Sequence, residues 1–409
     1  MLRRTLVFLL LLSLVVAVAA CEPVAAPQEG ESGPVTYVLG VAQPFTGPLG
    51  SFGTDFGKGI ELAVKQMNAE LEAAGSPVSF KTASSDTEGT PEGAAKAVQT
   101  ITQSSGAKVV VGPLTTGEVL GAKQYADENQ IVLVAPASSA PSGAIPDDYV
   151  FRVMYPPDTF AAQAFKQIAL ARGYENIAAL QVDDPFGNDL LKYFQQGFQE
   201  EGGGEVAVVK YAPDPTDLSG EVSKLSAEVA RLKESGKTAV FAIAFLGDAQ
   251  KALQQASVDP VLGSVDWIGI ENLVNPEILE DAAHAKFLAD VNMTSVSFAD
   301  RSNPNTQPFV DAFMAEYDAE PGPFTNYAYD AANIAMLSLL AAGNNGAGVK
   351  SILPWISDHY IGTSVQTFLD ENGDQAIANY GIFQVADDGS EFVQIGTYDG
   401  STNQVELDE

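Results

Sequence analysis

Short apolar, β-branched runs alternate with longer stretches whose apolar residues recur every three to four positions, and the alternation persists through most of the chain. The first run, over 35–42, leads through the loop QPFTGPLGSFG into a stretch where Phe56, Ile60, Ala63, Val64, Met67 and Leu71 share one helical face. VSFKTASSDT then reads as a strand entering a polar turn, and Thr90-Pro91-Glu92 as a cap with proline at the first position of a helix that runs to Gly106. A strand over 108–111, a helix over 117–129 and a strand over 131–135 complete a βαβαβαβ series. At this spacing the series means a parallel, doubly wound sheet.

YVFRVMYPPDTF breaks the rhythm: a strand runs into Pro156-Pro157, and Asp158 is expected to cap a new helix ending at Gly173. This is the first expected crossing between two halves. The pattern then repeats, with strands NIAALQV, EVAVVKY, TAVFAIAF and DWIGI separated by helices over 187–201, 218–234 and 247–256. DVNMTSVSF reads as a strand, 299–307 as a polar segment, 309–317 and 325–341 as helices, and 349–357 as a further short helix. Short strands joined by turn-rich links make up the remainder. The fold class is therefore α/β, with two doubly wound halves.

The chemistry sits where strands end. In VVVGPLTTGEVLGAKQYADENQIVLVAPASS, two β-branched runs break at a small residue plus proline and deliver Thr115 and Thr116, then Ser138 and Ser139. Ligands bind at strand carboxyl ends of such sheets, where helix N-termini and small polar groups are exposed; the same hydroxyls also suit helix or turn caps. In the second half the corresponding ends carry Asp183 and Phe186, then Phe245, then Glu271 and Asn272. The glycine-rich loop before Lys58 fails as a phosphate loop, because Phe52 stands where the first glycine belongs and Gly59 replaces the hydroxyl residue. It can still approach a ligand closely, with Phe52 as a cover. Asp370, Asn372 and Asp374 begin like a calcium loop, but Gln375 and Gly381 occupy the glycine and glutamate positions, so a β-turn is expected and no metal or cofactor is implied.

Composition narrows the class. With 409 residues, 46% of them hydrophobic, the chain can build two substantial cores. A net charge of −32 excludes nucleic acid as a partner. Arg3, Arg4 and the apolar run over 6–20 form a signal peptide rather than a membrane span. VAVAAC resembles a bacterial lipobox ending at Cys21, the sole cysteine, which would carry the lipid; an ordinary secretory peptide with an incidental cysteine is the alternative. Residues 21–34 read as a flexible tether. There is no G-x-S-x-G elbow, no histidine pair at metal spacing and no base evident for Thr116 or Ser139, so the chain is not expected to be an enzyme.

Taken in order, TGPLGSFGTDFGKGIELAVKQMNA, VVVGPLTTGEV, VLVAPASS, DDPFGND, WIGIEN and NYAYDAANIA resemble a type I periplasmic binding protein, in particular the leucine/isoleucine/valine receptors of ABC importers. The resemblance implies two Rossmann-like lobes joined by three hinge crossings, lobe 1 from 35–156 plus 291–358 and lobe 2 from 157–290 plus 359–400, with 401–409 a tail. It assigns Thr116 and Ser139 to the ligand's α-carboxylate and α-ammonium, helped by backbone groups around Thr115 and Ala137, and makes Glu271 the ammonium's counter-charge. Phe52, Phe186 and Phe245 would wall an apolar side-chain pocket, with ordinary core packing as the alternative. Tyr327 or Tyr329 would approach the cleft. Relatives of this kind can carry a disulfide near the first ligand loop, whereas position 115 here is threonine. The expectation is an exported receptor, lipid-anchored at the outer face of the cytoplasmic membrane, that delivers an amino acid to an ABC permease with its ATPase subunits and touches the membrane only through its lipid. A ligand-sensing receptor for an amide, urea or aromatic acid, or a secreted hydrolase, are the rivals.

Overall fold

The computed structural model describes residues 33–298, 304–363, 367–376 and 378–408, so the expected signal peptide, Cys21 and nearly all of the tether lie outside the described residues. The first half is built from β1 (Val35–Gln43), α1 (Gly50–Ala73), β2 (Val78–Asp86), α2 (Pro91–Ser105), β3 (Val109–Val111), α3 (Thr116–Asn129), β4 (Val132–Val134) and β5 (Val150–Phe151). The strands pair in parallel in the order β2-β1-β3-β4-β5. Every residue of β3 and β4 is fully buried, as a parallel sheet covered on both faces requires. Local signals set the helix ends: Thr90 accepts a hydrogen bond from Gly93 N at 3.0 Å ahead of Pro91, and Gly106 closes α2 with φ 73°. Gly112, with φ 111°, lets the turn after β3 pass under β1; a Cβ there would lie 2.0 Å from Ala42 O.

The second half comprises α4 (Asp158–Ala171), β6 (Asn176–Val182), α5 (Pro185–Glu200), β7 (Val206–Tyr211), α6 (Ser219–Leu232), β8 (Thr238–Ile243), α7 (Leu246–Ala256), β9 (Trp267–Gly269), α8 (Ala282–Asp290) and β10 (Thr294–Phe298). Three helices, α9 (Thr306–Tyr317), α10 (Thr325–Ala342) and α11 (Gly346–His359), return to the first half, where α10 packs on α1 and β3. Strands β11 (Asn379–Val385), β12 (Phe392–Asp399) and β13 (Gln404–Leu407) then extend the second sheet, whose order is β13-β12-β11-β10-β9-β8-β6-β7. It is parallel from β7 to β10 and antiparallel from β10 to β13. Among the described residues the chain changes sheets between β5 and β6, between β10 and α9, and between α11 and β11. No helix among the described residues is long and apolar enough to cross a membrane.

Some expectations need correction. A first-lobe segment starting at 291 would include Thr294–Phe298, yet that strand pairs with β9 and β11 in the second sheet. Residues Gln404–Leu407, set apart as a tail, pair antiparallel with β12. Helix α8 is absent from the sequence reading; it is nine residues long and rests on Asp281, whose carboxylate accepts from Ala283 N and His284 N. Asp158 does not cap α4. Pro157 holds that position, and Asp158 is the first helical residue, its N–H donating to Ser139 O at 2.9 Å. Helix α5 starts earlier than 187 because Asp184 accepts from Gly187 N at 2.7 Å with Pro185 at the first position.

Two of the crossings are tied together. Arg152 donates through Nε to Asp374 Oδ1 at 2.6 Å, through Nη2 to Asp374 Oδ2, and through Nη1 to Ala140 O at 2.6 Å. Backbone bonds reinforce the link, from Arg152 N to Gly373 O at 2.9 Å and from Gln375 N to Arg152 O at 3.1 Å. Both ionic side chains are buried, 1% and 2% exposed. Asp370 Oδ1 accepts from Asn372 N and Asp374 N, so the segment that begins like a calcium loop is a turn that presents Asp374 to the arginine.

Candidate functional site

The carboxyl ends of β1, β3, β4, β8 and β9 and the first turn of α5 converge on one cavity of about 90 Å³ between the two sheets. The first half contributes Phe52 from α1, Thr115 and Thr116 after β3, and Ala137 and Ser139 after β4. The second half contributes Phe186, Phe245, Glu271 and Asn272. Eight of the nine ligand positions singled out in the sequence therefore meet on one wall or the other. Tyr327 does not: it is buried behind Tyr155 and Phe324, with ring centroids 6.2 and 5.6 Å away, and those two aromatics line the cavity in its place. Tyr329 turns away and donates its hydroxyl to Gln66 Oε1 at 2.5 Å. Asp183 is also outside, paired with Lys210 at 3.0 Å.

The hydroxyls divide their work. Thr115 caps α3: its Oγ1 accepts from Glu118 N at 3.3 Å while its N–H donates to Glu118 Oε2 at 2.8 Å. Glu118 is fully buried, and burial pushes its carboxyl up although the hydroxyls of Thr87 and Thr115 oppose the shift. Thr116 Oγ1 shares a 2.9 Å hydrogen bond with Ser138 Oγ and accepts from Ala140 N at 3.0 Å, which fastens the two loops to each other. Thr116 is thus not a cap, and what it offers a ligand is its position at the N-terminus of α3, where first-turn N–H groups have no partner inside the helix. Ser139, 6% exposed, stands at the cavity wall beside the start of α4.

Glu271 opens a short 3-10 turn after β9 and is 2% exposed, with Oε1 lacking a hydrogen-bond partner. Burial pushes its carboxyl up to about 7. Asn272 Oδ1, next to it, is likewise without a partner. The rest of the wall is apolar: Phe186 stacks on Phe245 with centroids 5.4 Å apart, and Leu49, Phe56, Leu114, Ile270 and Phe324 fill the gaps. Phe324 takes a left-handed conformation, φ 62°, that a bulky residue rarely adopts, and this turns its ring to the cavity at the start of α10. Across the cleft Ser142 N donates to Asp189 Oδ2 at 2.7 Å, so the halves are closed on one another. Beyond Leu49, Thr115 and Phe245, which it shares with the inner cavity, a wider cavity of about 560 Å³ is edged by Glu88, Glu118, Asp183, Asp184, Asp214, Asp248 and Lys251. Among the described residues no group of His, Cys, Asp and Glu has the form of a metal site.

The sequence placed neither Tyr155 nor Phe324 at the site, and Asp158, which adjoins it through Ser139, was expected only as a helix cap. Tyr155 carried a usable signal, since it is the last residue before Pro156-Pro157 at the first crossing.

A family model described as periplasmic binding protein matches residues 36–390. An uncharacterized protein of Methanocaldococcus jannaschii is 25% identical over 390 residues, covering 90% of each chain. The crystal structure of a leucine binding protein from Thermotoga maritima superposes with a TM-score of 0.75 at 20% identity, over 90% of this chain and 99% of that one. A solute binding protein of an ABC transporter from R. palustris, in complex with benzoate, superposes with a TM-score of 0.73 at 20% identity, over 92% and 98%. These likenesses agree with the expected α/β fold of two sheets, and the matched span leaves little of the chain outside it. The chain belongs to the periplasmic binding protein family, whose members bind solutes and are not enzymes.

Proposed function

We propose that this protein is the extracytoplasmic receptor of an ABC importer and captures an α-amino acid with an apolar side chain as its two halves close. The observation that carries this reading is Glu271, a buried carboxylate whose Oε1 has no partner, in a wall without a basic side chain and made largely of phenylalanines and aliphatics. A desolvated carboxylate calls for a cation, and an ammonium supplies it. The N-terminus of α3, with Ser139 beside it, suits the ligand's carboxylate, and the stacked Phe186–Phe245 pair suits an apolar side chain. The lipid on Cys21 is part of the proposal; replacing Cys21 by serine should release the protein from the membrane fraction.

The test is titration calorimetry of the full chain with the twenty amino acids and with benzoate. An apolar amino acid should bind with one-to-one stoichiometry, and Glu271→Gln should weaken it at least about thirtyfold, the loss of a charged hydrogen bond in a dry site. Benzoate binding in preference to every amino acid, unaffected by Glu271→Gln, would replace this reading with an aromatic-acid receptor.

A further inference from the structure

A second buried acid lies under the cavity wall, behind Ser139. Asp158, the first residue of α4, is fully buried, and neither carboxyl oxygen has a partner at hydrogen-bond geometry. Its own N–H reaches Ser139 O, so its side chain starts from the floor of the loop that forms the cavity wall. The groups that face it are Glu271 and Asp189, both acidic, the Ser139 side chain, and Arg152. Tyr155 and Tyr380 belong to the same buried cluster. Arg152 does not neutralise Asp158, because its guanidinium is committed to Asp374 and Ala140 O. The cavity wall itself contains no lysine, arginine or histidine.

We propose that Asp158 is a positioning residue of the amino-acid site, held as a neutral acid beside Glu271, so that the pair carries a single negative charge and matches a ligand with a single ammonium at that end. Two carboxylates sharing a dry site cannot both ionise. Glu271 faces the cavity and meets the arriving cation; Asp158 lies behind Ser139, out of reach of the ligand's ammonium, and keeps its proton. On capture the retained O–H turns to Ser139 Oγ as donor, which leaves the serine's own proton directed at the ligand's carboxylate. Burial and the Glu271 charge both hold the Asp158 carboxyl well above the usual range, and Ser139 and Arg152 oppose that only in part. Because Glu271 titrates at about 7, its ionised fraction changes about tenfold between pH 6 and pH 8. Capture therefore releases a proton from Glu271 near neutral pH, while Asp158 takes no part in the exchange.

This inference rests on the amino-acid reading of the site, and its test separates the two. Infrared spectra of the full chain at pH 8, with and without isotope-labelled aspartate, should show one carboxylic-acid C=O band that shifts with the label, is lost in Asp158→Asn and survives in Glu271→Gln. Titration with L-leucine should give a dissociation constant about tenfold lower at pH 8 than at pH 6 in the native protein and a flat profile in Glu271→Gln. Asp158→Ala should weaken leucine about tenfold, and Asp158→Asn, which keeps a donor, should recover most of that loss. Absence of a label-sensitive acid band at pH 8 overturns the proposal, needing neither a ligand nor a variant. So does an Asp158→Asn protein that loses as much affinity as Glu271→Gln, which would make Asp158 a second ionised counter-charge. If no amino acid binds the native chain, the functional reading falls, and the infrared band still decides the protonation of Asp158.

Discussion

Removing the charge of Glu271 should stabilise the empty protein while crippling capture. The carboxyl titrates at about 7 in the folded chain against 4.5 for the unperturbed group, because burial disfavours the ionised form. At about 1.4 kcal/mol per pH unit, that interval corresponds to roughly 3 kcal/mol. The direction follows from proton binding. Below pH 4.5 the residue is protonated in both states and contributes nothing. Between 4.5 and 7 the unfolded chain loses its proton while the folded one holds it, so stability declines as pH rises; above 7 the decline is complete. Glu271→Gln removes this loss. Differential scanning calorimetry of the ligand-free full chain should find native and variant alike at pH 4 and the variant more stable at pH 8, with a Tm higher by on the order of 5 °C. A variant equal to or less stable than native at pH 8 would refute the reasoning, since the buried carboxylate would then have a partner that compensates it.

Two further perturbations probe the frame around the site. Arg152→Met leaves Asp374 buried without its partner and should cost roughly 3–5 kcal/mol in urea unfolding; a loss below about 1 kcal/mol would mean that the two crossings are not held by this pair. Asp189→Ala removes the acceptor of Ser142 N across the closed cleft, so the ligand's dissociation rate should rise about threefold to tenfold, for a hydrogen bond of about 1 kcal/mol. An unchanged rate in stopped-flow fluorescence would show that this bond does not hold the closed state.

The sequence made the parallel halves legible because a strand buried on both faces must be a run of apolar β-branched residues, and Val109–Val111 and Val132–Val134 are such runs. The strand-end loops could be read for the same reason: small residues, proline and hydroxyls follow each run directly. What escaped depended on how distant pieces face one another. Pro157-Asp158 has the form of a helix start whether the acid caps the helix or is buried beneath the Ser139 loop, and only the crossing decides. In NYAYD both tyrosines suit a helix, yet Tyr327 sits in the core and Tyr329 turns outward to Gln66. Helix α8 is short and its apolar face slight, so periodicity could not separate it from a loop. The contact between Ser142 and Asp189 has no signature at all in either segment, because it exists only once the halves have closed.

The tie between Arg152 and Asp374 has a mechanical meaning. Two independent connectors would let one half bend, twist and slide against the other, and many approaches would end with the loops out of register. Joined by an ion pair and two backbone bonds, the segments 152–157 and 367–376 act as one strap. A strap of that kind resists torsion and leaves bending as the soft motion. On the proposed reading of capture by closure, the swing has few degrees of freedom, and each closing stroke brings Phe186, Phe245 and Glu271 to the same place over the α3 N-terminus. On that reading specificity depends on the joint as well as on the pocket, since a loosened joint would offer every ligand a slightly different site.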